Sequence, residues 1–163
     1  MRACFKGGQL KLLIPFFAGI FIIAILDQTA KIFAAGLLPS VKTIPLIKDV
    51  FHLTYVENTG AGFGAFSEYT WILTALTLIV IIAVVTYMVV KRPKNRLEIA
   101  ALTFMMGGAV GNVVDRIRLG YVIDFFDLRL IDFPVFNVAD CFITVGAVIF
   151  AVYVIFFSDK KER

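Results

Sequence analysis

Five aspartates, Asp115, Asp124, Asp127, Asp132 and Asp140, fall within the stretch Gly107 to Asp140, together with Arg116, Asn112 and Asn137. Strongly apolar runs lie on both sides. A carboxylate beside hydrocarbon costs roughly 2.5–3.5 kcal/mol at a helix centre, so an acid at a membrane boundary is a functional candidate. The chemistry that suits two such acids is activation of water. Carboxylates brought close cannot both ionise easily and share a proton. One then serves as general base on water while the protonated partner donates to a carbonyl. Asp124, in Val122-Ile123-Asp124-Phe125-Phe126, has no cation beside it, and apolar surroundings raise a carboxyl pKa. Asp140 opens an apolar run, with Asn137 three residues earlier. These two form the candidate pair.

The other polar residues divide into supporting and bland roles. Asp115 adjoins Arg116 and follows Asn112 by about one helical turn, so it is expected to answer to that guanidinium and to orient neighbours. Asp127 and Asp132, with Arg129 between them, read as solvated loop charges. Asp27 and Lys31 are i,i+4 and share a helix face. They read as a mutually neutralising pair that tolerates burial, or as support for the site. Gly107, Gly108 and Gly111 suit close packing between membrane helices. His52 is the single histidine and no HExxH follows, so a structural or exposed role is expected rather than a metal ligand. Cys4 and Cys141 form no CxxC, and Cys141 reads as a small buried hydrophobe.

These residues need elements to position them. The 163-residue chain is 60% hydrophobic and 17% charged, with mean hydropathy +0.91. Soluble domains run about 45–50% apolar and ~25% charged, so the chain is a single-domain membrane protein. Its +4 charge is too scattered to argue for nucleic acid. Four spans are expected, at about 12–33, 69–90, 97–116 and 140–158, against the roughly 20 residues a crossing needs. The first and third qualify only with polar residues at their ends. Arg2, Lys6 and Lys11 before the first run suggest a secretory signal, but no A-x-A-like site follows, and Cys4 is not expected to be lipidated.

Orientation follows from the basic residues. Ten of them (Arg2, Lys6, Lys11, Lys91, Arg92, Lys94, Arg96, Lys160, Lys161 and Arg163) fall on one side, against Lys42, Lys48, Arg118 and Arg129 on the other. Both termini are therefore expected in the cytoplasm. Asp27, Lys31, Asn112, Asp115, Arg116 and Asp140 then gather at the outer face, leaving Glu98 solvated at the inner one. Between spans one and two, residues 34–68 hold the strand-forming Phe51 to Val56 and the glycine-rich Glu57 to Gly64. They predict an extracytoplasmic platform and loop. The fold class expected is an all-α membrane protein with four transmembrane helices and this small strand-bearing segment. Sixteen residues separate Asp124 from Asp140, across a loop that could fold either way. An aspartyl hydrolase, a small ion-coupled transporter and an assembly protein all stay open on these grounds.

The blocks Asp27-Gln28 with Lys31, Asn58-Thr59-Gly60-Ala61 with Phe63-Gly64, Gly107-Gly108-Ala109 to Asp115-Arg116, Val122 to Phe125, and Phe136 to Asp140 occur in order. In this the chain resembles lipoprotein signal peptidase (signal peptidase II), a bacterial integral-membrane aspartyl peptidase family. Gly62 stands where the family usually has a second alanine. The resemblance implies a catalytic pair at Asp124 and Asp140, with Asp115 in reserve. It implies that Asn58, Gly60, Asn112, Arg116, Asn137 and Ala139 line or shape the site and that Asp27 and Lys31 support it. It further implies inner-membrane localisation and cleavage of prolipoproteins before a diacylglyceryl-modified cysteine. The enzyme is expected to act as a monomer among membrane lipids, with no metal or cofactor.

Overall fold

The computed structural model describes residues 7–60 and 70–157. Four helices long and apolar enough to cross a membrane carry a three-stranded antiparallel sheet at one end of their bundle. In order these are α1 (Gly7–Val41), β1 (Thr43–Ile47), β2 (Phe51–Asn58), α2 (Thr70–Lys91), α3 (Arg96–Leu119), β3 (Val122–Leu128) and α4 (Val138–Phe157). The loop residues Ala61, Gly62, Phe63 and Gly64 lie outside the described residues, as do Arg2, Lys6, Lys160, Lys161 and Arg163.

Two departures from the sequence expectation matter for the site. Helix α1 continues through residues 34–41, where a loop and platform were expected, despite Gly36 and Pro39. Packing overrides propensity here. Ala34 and Leu38, one turn apart, are buried against Ile123 and Phe125 of β3. The helix ends when Lys42 turns left-handed (φ 65°) and its N–H bonds to Leu38 O at 2.7 Å, an αL cap.

The second departure is β3. The segment after α3 is not a free loop but the third strand, so the sheet joins both of the connections at this end of the bundle. Val56 pairs with Asp124 and Asn58 with Val122. A chain segment read as undecided is thus fixed by a partner 66 residues away. Asp127 correspondingly is not a solvated loop charge. It is half-buried on β3 and accepts from Thr54 Oγ1 at 2.7 Å and Arg129 Nε at 3.0 Å. Asp132 is exposed.

Helix α3 is the axis of the bundle. Asn95 caps its start, accepting from Leu97 N at 2.8 Å, and Gly120 (φ 83°) ends it. Phe16, Met88, Leu102 and Met106 form the core at the end away from the sheet. Glu98 lies near that end and is only 2% exposed, which corrects its solvated reading. It turns inward and accepts from the Tyr87 hydroxyl, tying α3 to α2. His52 is buried within the sheet, with Nδ1 facing Thr43 Oγ1 and Nε2 accepting from Asp49 N–H at 3.2 Å.

Candidate active site

The polar residues converge where α1, α3 and the start of α4 meet beneath β3. Their organising feature is the first turn of α4. A helix start leaves its N–H groups without intrahelical partners. Here Asn137 and Asp140 satisfy one another as a capping box: Asn137 Oδ1 accepts from Asp140 N at 3.0 Å, and Asp140 Oδ2 accepts from Asn137 N at 3.1 Å. Asp27, reaching from α1, accepts the Ala139 N–H on Oδ1 at 2.9 Å. One helix terminus therefore locks three of the sequence-derived site residues in place.

Asp124 is held from two sides. Its Oδ2 accepts from Asn58 Nδ2 at 2.8 Å and its Oδ1 from Asn137 Nδ2 at 2.6 Å. Asn112 Nδ2 donates to Asp140 Oδ1 at 2.9 Å, while Asn112 Oδ1 accepts from Asn137 Nδ2 at 3.2 Å. Asn137 and Asn112 thus form an amide relay between the two carboxylates. Burial, with the charge of Asp140 adding to it, pushes Asp124 up to about 6, against the lowering effect of its two amide donors.

Behind the relay sits a buried ionic cluster. Lys31 Nζ lies 2.9 Å from Asp27 Oδ2, 2.8 Å from Asp115 Oδ2 and 2.9 Å from Asn112 Oδ1. Its three donors are all used. The i,i+4 pairing of Asp27 with Lys31 is therefore present, and it reaches further than a neutralised pair. Asp115 does not pair with the adjacent Arg116, as the sequence suggested. Consecutive helical residues point about 100° apart, so Asp115 turns inward to Lys31 while Arg116 turns to the cleft. Asp115 also accepts from Ile123 N at 3.2 Å and from Gln28 Nε2 at 2.8 Å, fastening β3 to the bundle. Gln28 went without a role in the sequence reading. An amide within an apolar segment, beside Asp27, was the available signal.

A cleft of about 490 Å³ opens over Asp124 and Asp140. Asn58, Gly60, Asn112 and Arg116 form its polar end. Arg116 Nη2 donates to Gly60 O at 3.3 Å, and its Nε is buried without a hydrogen-bond partner among the described residues. Phe133, Pro134 and Val135 form an apolar wall, and Cys141, Thr144 and Val145 continue it down one side of α4. Cys141, read from sequence as a small buried hydrophobe, is instead half-buried at the cleft, and the other wall residues carry no signal in a chain so rich in apolar residues. Asp115, the reserve candidate, is not among the cleft residues; its oxygens are already taken.

Close approach depends on the glycines. A Cβ on Gly108 would lie 2.3 Å from Ala139 O, and one on Gly111 would lie 2.5 Å from Asp27 Oδ2. Gly108→Ala should therefore push the first turn of α4 from α3 and destabilise the fold by roughly 1–3 kcal/mol. Thermal unfolding in detergent measures this, with Gly36→Ala as the control, since a Cβ there meets nothing within 4 Å. An unchanged melting temperature for Gly108→Ala would contradict the packing.

Four membrane-length helices, a sheet closing one end and two acids lining a cleft there define a multi-pass membrane protein. Residues 19–156 match the family model described as signal peptidase (SPase) II. Lipoprotein signal peptidase of Clostridium acetobutylicum is 42% identical over 149 residues, covering 88% of this chain and 97% of the relative. The lipoprotein signal peptidase of Caldanaerobacter subterraneus subsp. tengcongensis is 46% identical over 138 residues, covering 84% and 93%. A solved bacterial membrane enzyme structure, determined by the in meso method at 2.3 Å, superposes with TM-score 0.79 at 27% identity, over 91% of this chain and 93% of that one. The chain belongs to the signal peptidase II family. It is a membrane peptidase.

Proposed function

We propose that this chain removes signal peptides from prolipoproteins, cutting before a diacylglyceryl-modified cysteine with water activated between Asp124 and Asp140. The observation that carries this reading is that both acids line one cleft while their oxygens are held by Asn58, Asn112 and Asn137. Asp140 acts as base on the water and Asp124, the raised acid, donates to the scissile carbonyl. As the tetrahedral intermediate collapses, Asp140 passes the proton taken from water to the leaving amine, and the re-formed carbonyl returns its proton to Asp124. No covalent enzyme intermediate forms. Arg116, with donor capacity left at the cleft edge, positions the substrate backbone and Gly60 keeps the approach narrow, while Ala139, fully buried, supports the site from behind through its N–H to Asp27.

The site sits at the extracytoplasmic face of the bacterial inner membrane, with both termini in the cytoplasm. Lys91, Arg92, Lys94 and Arg96, in and beside the α2–α3 connection, support this orientation. A substrate anchored by acyl chains presents its scissile bond near the membrane surface, and acids at that depth meet it. Purified protein in liposomes should cleave a diacylglyceryl-modified precursor and leave an unmodified one intact, with or without a chelator. Cleavage abolished by chelation would remove the metal-free mechanism, and indifference to the lipid would remove the substrate class.

The pH dependence follows from the assigned roles. If Asp124 must be protonated, kcat/KM, which reports the free enzyme, falls as pH rises through about 6. Asn58 donates to Asp124 and favours its ionised form, so Asn58→Leu should move that break to higher pH. A profile level from pH 5 to about 8 would take the acid's role from Asp124.

A further inference from the structure

The far end of the sheet carries large apolar side chains outside all four spans. Leu46 and Ile47 at the end of β1 are 55% and 58% exposed. Leu130 and Ile131, in the short 3₁₀ turn after β3, are 70% and 66% exposed. The two pairs are neighbours, because Arg129 N bonds to Val50 O at 3.0 Å and Val50 N to Ile47 O at 3.1 Å. Phe133, itself exposed, follows with its ring against Phe136. A cluster of this kind on a single chain marks a surface with a partner.

The partner is identified by what the cluster continues. Along the last turns of α1, Phe33, Leu37 and Val41 recur at i, i+4 and i+8, all exposed, on a helix of spanning length. Residues Leu12–Val41 number 30, or about 45 Å of helix, which exceeds a hydrocarbon core of roughly 30 Å. Those turns, and the strand that leaves them at Thr43, therefore reach the headgroup zone. Ile44 packs into the cluster beneath the sheet, against the α1 side. The register shifts between Pro45 and Ile47, so Leu46 stands at a bulge, and Ile47, paired with Phe51, returns toward that face. By contrast His52, Thr54 and Asp127 belong to a hydrogen-bonded polar set with Thr43 and Arg129. The sheet is therefore amphipathic.

We infer that the tip formed by Leu46, Ile47, Leu130, Ile131 and Phe133 inserts into the interfacial zone of the phospholipid bilayer as a second anchor beside the helices. An apolar face seated this way lies roughly 5–10 Å into the headgroup–acyl boundary. Its consequence for cleavage rests on the proposed function. Asp124 and the Leu130 and Ile131 side of the tip are carried by β3 and the turn that follows it, so seating the tip sets the depth of Asp124 relative to a lipid-anchored substrate.

Trp71 is the single tryptophan, so Trp71→Phe provides a silent background. In that background Ile131→Trp, and separately Leu46→Trp, are placed in phosphatidylcholine vesicles with bromines near the headgroup end of the acyl chains. The expected result is blue-shifted emission, quenched roughly twofold or more by bromolipid and protected from iodide. Iodide quenching without bromolipid quenching would overturn the insertion. So would protection from both quenchers that depends on protein concentration, which would assign the tip to a second copy of the chain. Cleavage of the lipid-modified precursor is scored on the same samples. Quenching without cleavage would spare the anchor and sink the proposed cleavage reaction, and cleavage without quenching would do the reverse.

Discussion

Asp124→Asn and Asp140→Asn are each expected to lower cleavage of a lipid-modified precursor by at least roughly 10²–10⁴-fold, the range general acid–base groups supply. The amide matches the carboxyl in size but cannot exchange the proton. In Asp140→Asn the capping box survives, because the side-chain carbonyl can still accept from Asn137 N. Its NH₂ group then faces Asn112 Nδ2, which donated to Asp140 Oδ1, so a small loss of stability accompanies the chemical loss, with membrane insertion intact. In Asp124→Asn one amide donor, Asn58 or Asn137, must face an NH₂ group, so a small loss of stability accompanies the loss of rate. Asp132→Asn, at an exposed position, should leave cleavage unchanged. Turnover is measured by the mobility shift of the precursor in liposomes. Near-full activity in either variant would remove that residue from the pair, and Asp115→Asn would be examined next.

Lys31→Met is expected to have the largest effect on the fold. Lys31 is 1% exposed and serves both Asp27, 0% exposed, and Asp115, 2% exposed. Removing the cation leaves two buried carboxylates near one another with no counter-charge. Breaking a buried pair in this way costs roughly 3–5 kcal/mol. The damage should spread to the site, because Lys31 holds Asn112 Oδ1 and thereby turns Asn112 Nδ2 toward Asp140. Asp27 also caps the Ala139 N–H, so its displacement loosens the first turn of α4. Thermal unfolding in detergent should show a clear drop for Lys31→Met, partly restored in Lys31→Met/Asp115→Asn, where only one of the two charges remains. An unshifted melting temperature would mean that the cluster does not hold the fold together.

Much of the architecture was legible because the bilayer imposes a coarse rule. Long uncharged runs become helices, and the helices at Thr70–Lys91 and Val138–Phe157 stand within two residues of the ranges expected from hydropathy alone. The strand at Phe51–Asn58 was visible through its alternation. The third strand was not, because Val122 to Phe126 is nearly uniformly apolar and its pairing partner lies on β2. The last turns of α1 were missed for a related reason, since only burial of Ala34 and Leu38 beneath that strand carries the helix past Gly36 and Pro39. Glu98 was misplaced because a charge near a basic loop is ordinarily solvated, and the Tyr87 hydroxyl that receives it is eleven residues away on another helix.

From residue types and spacing alone come the membrane class, the four spans, the candidate acids and the amides near them. Burying a charge in an apolar chain is costly enough that each one marks a position worth its expense, whatever the fold. Partnership was decided only in three dimensions. Asp115 answers to Lys31 rather than to its neighbour Arg116, and Asp140 shares an amide relay with an aspartate sixteen positions earlier. Hydrogen bonds and ion pairs act over about 3 Å. Which groups come within that reach depends on helix phase, strand register and the glycines that let α1, α3 and α4 touch.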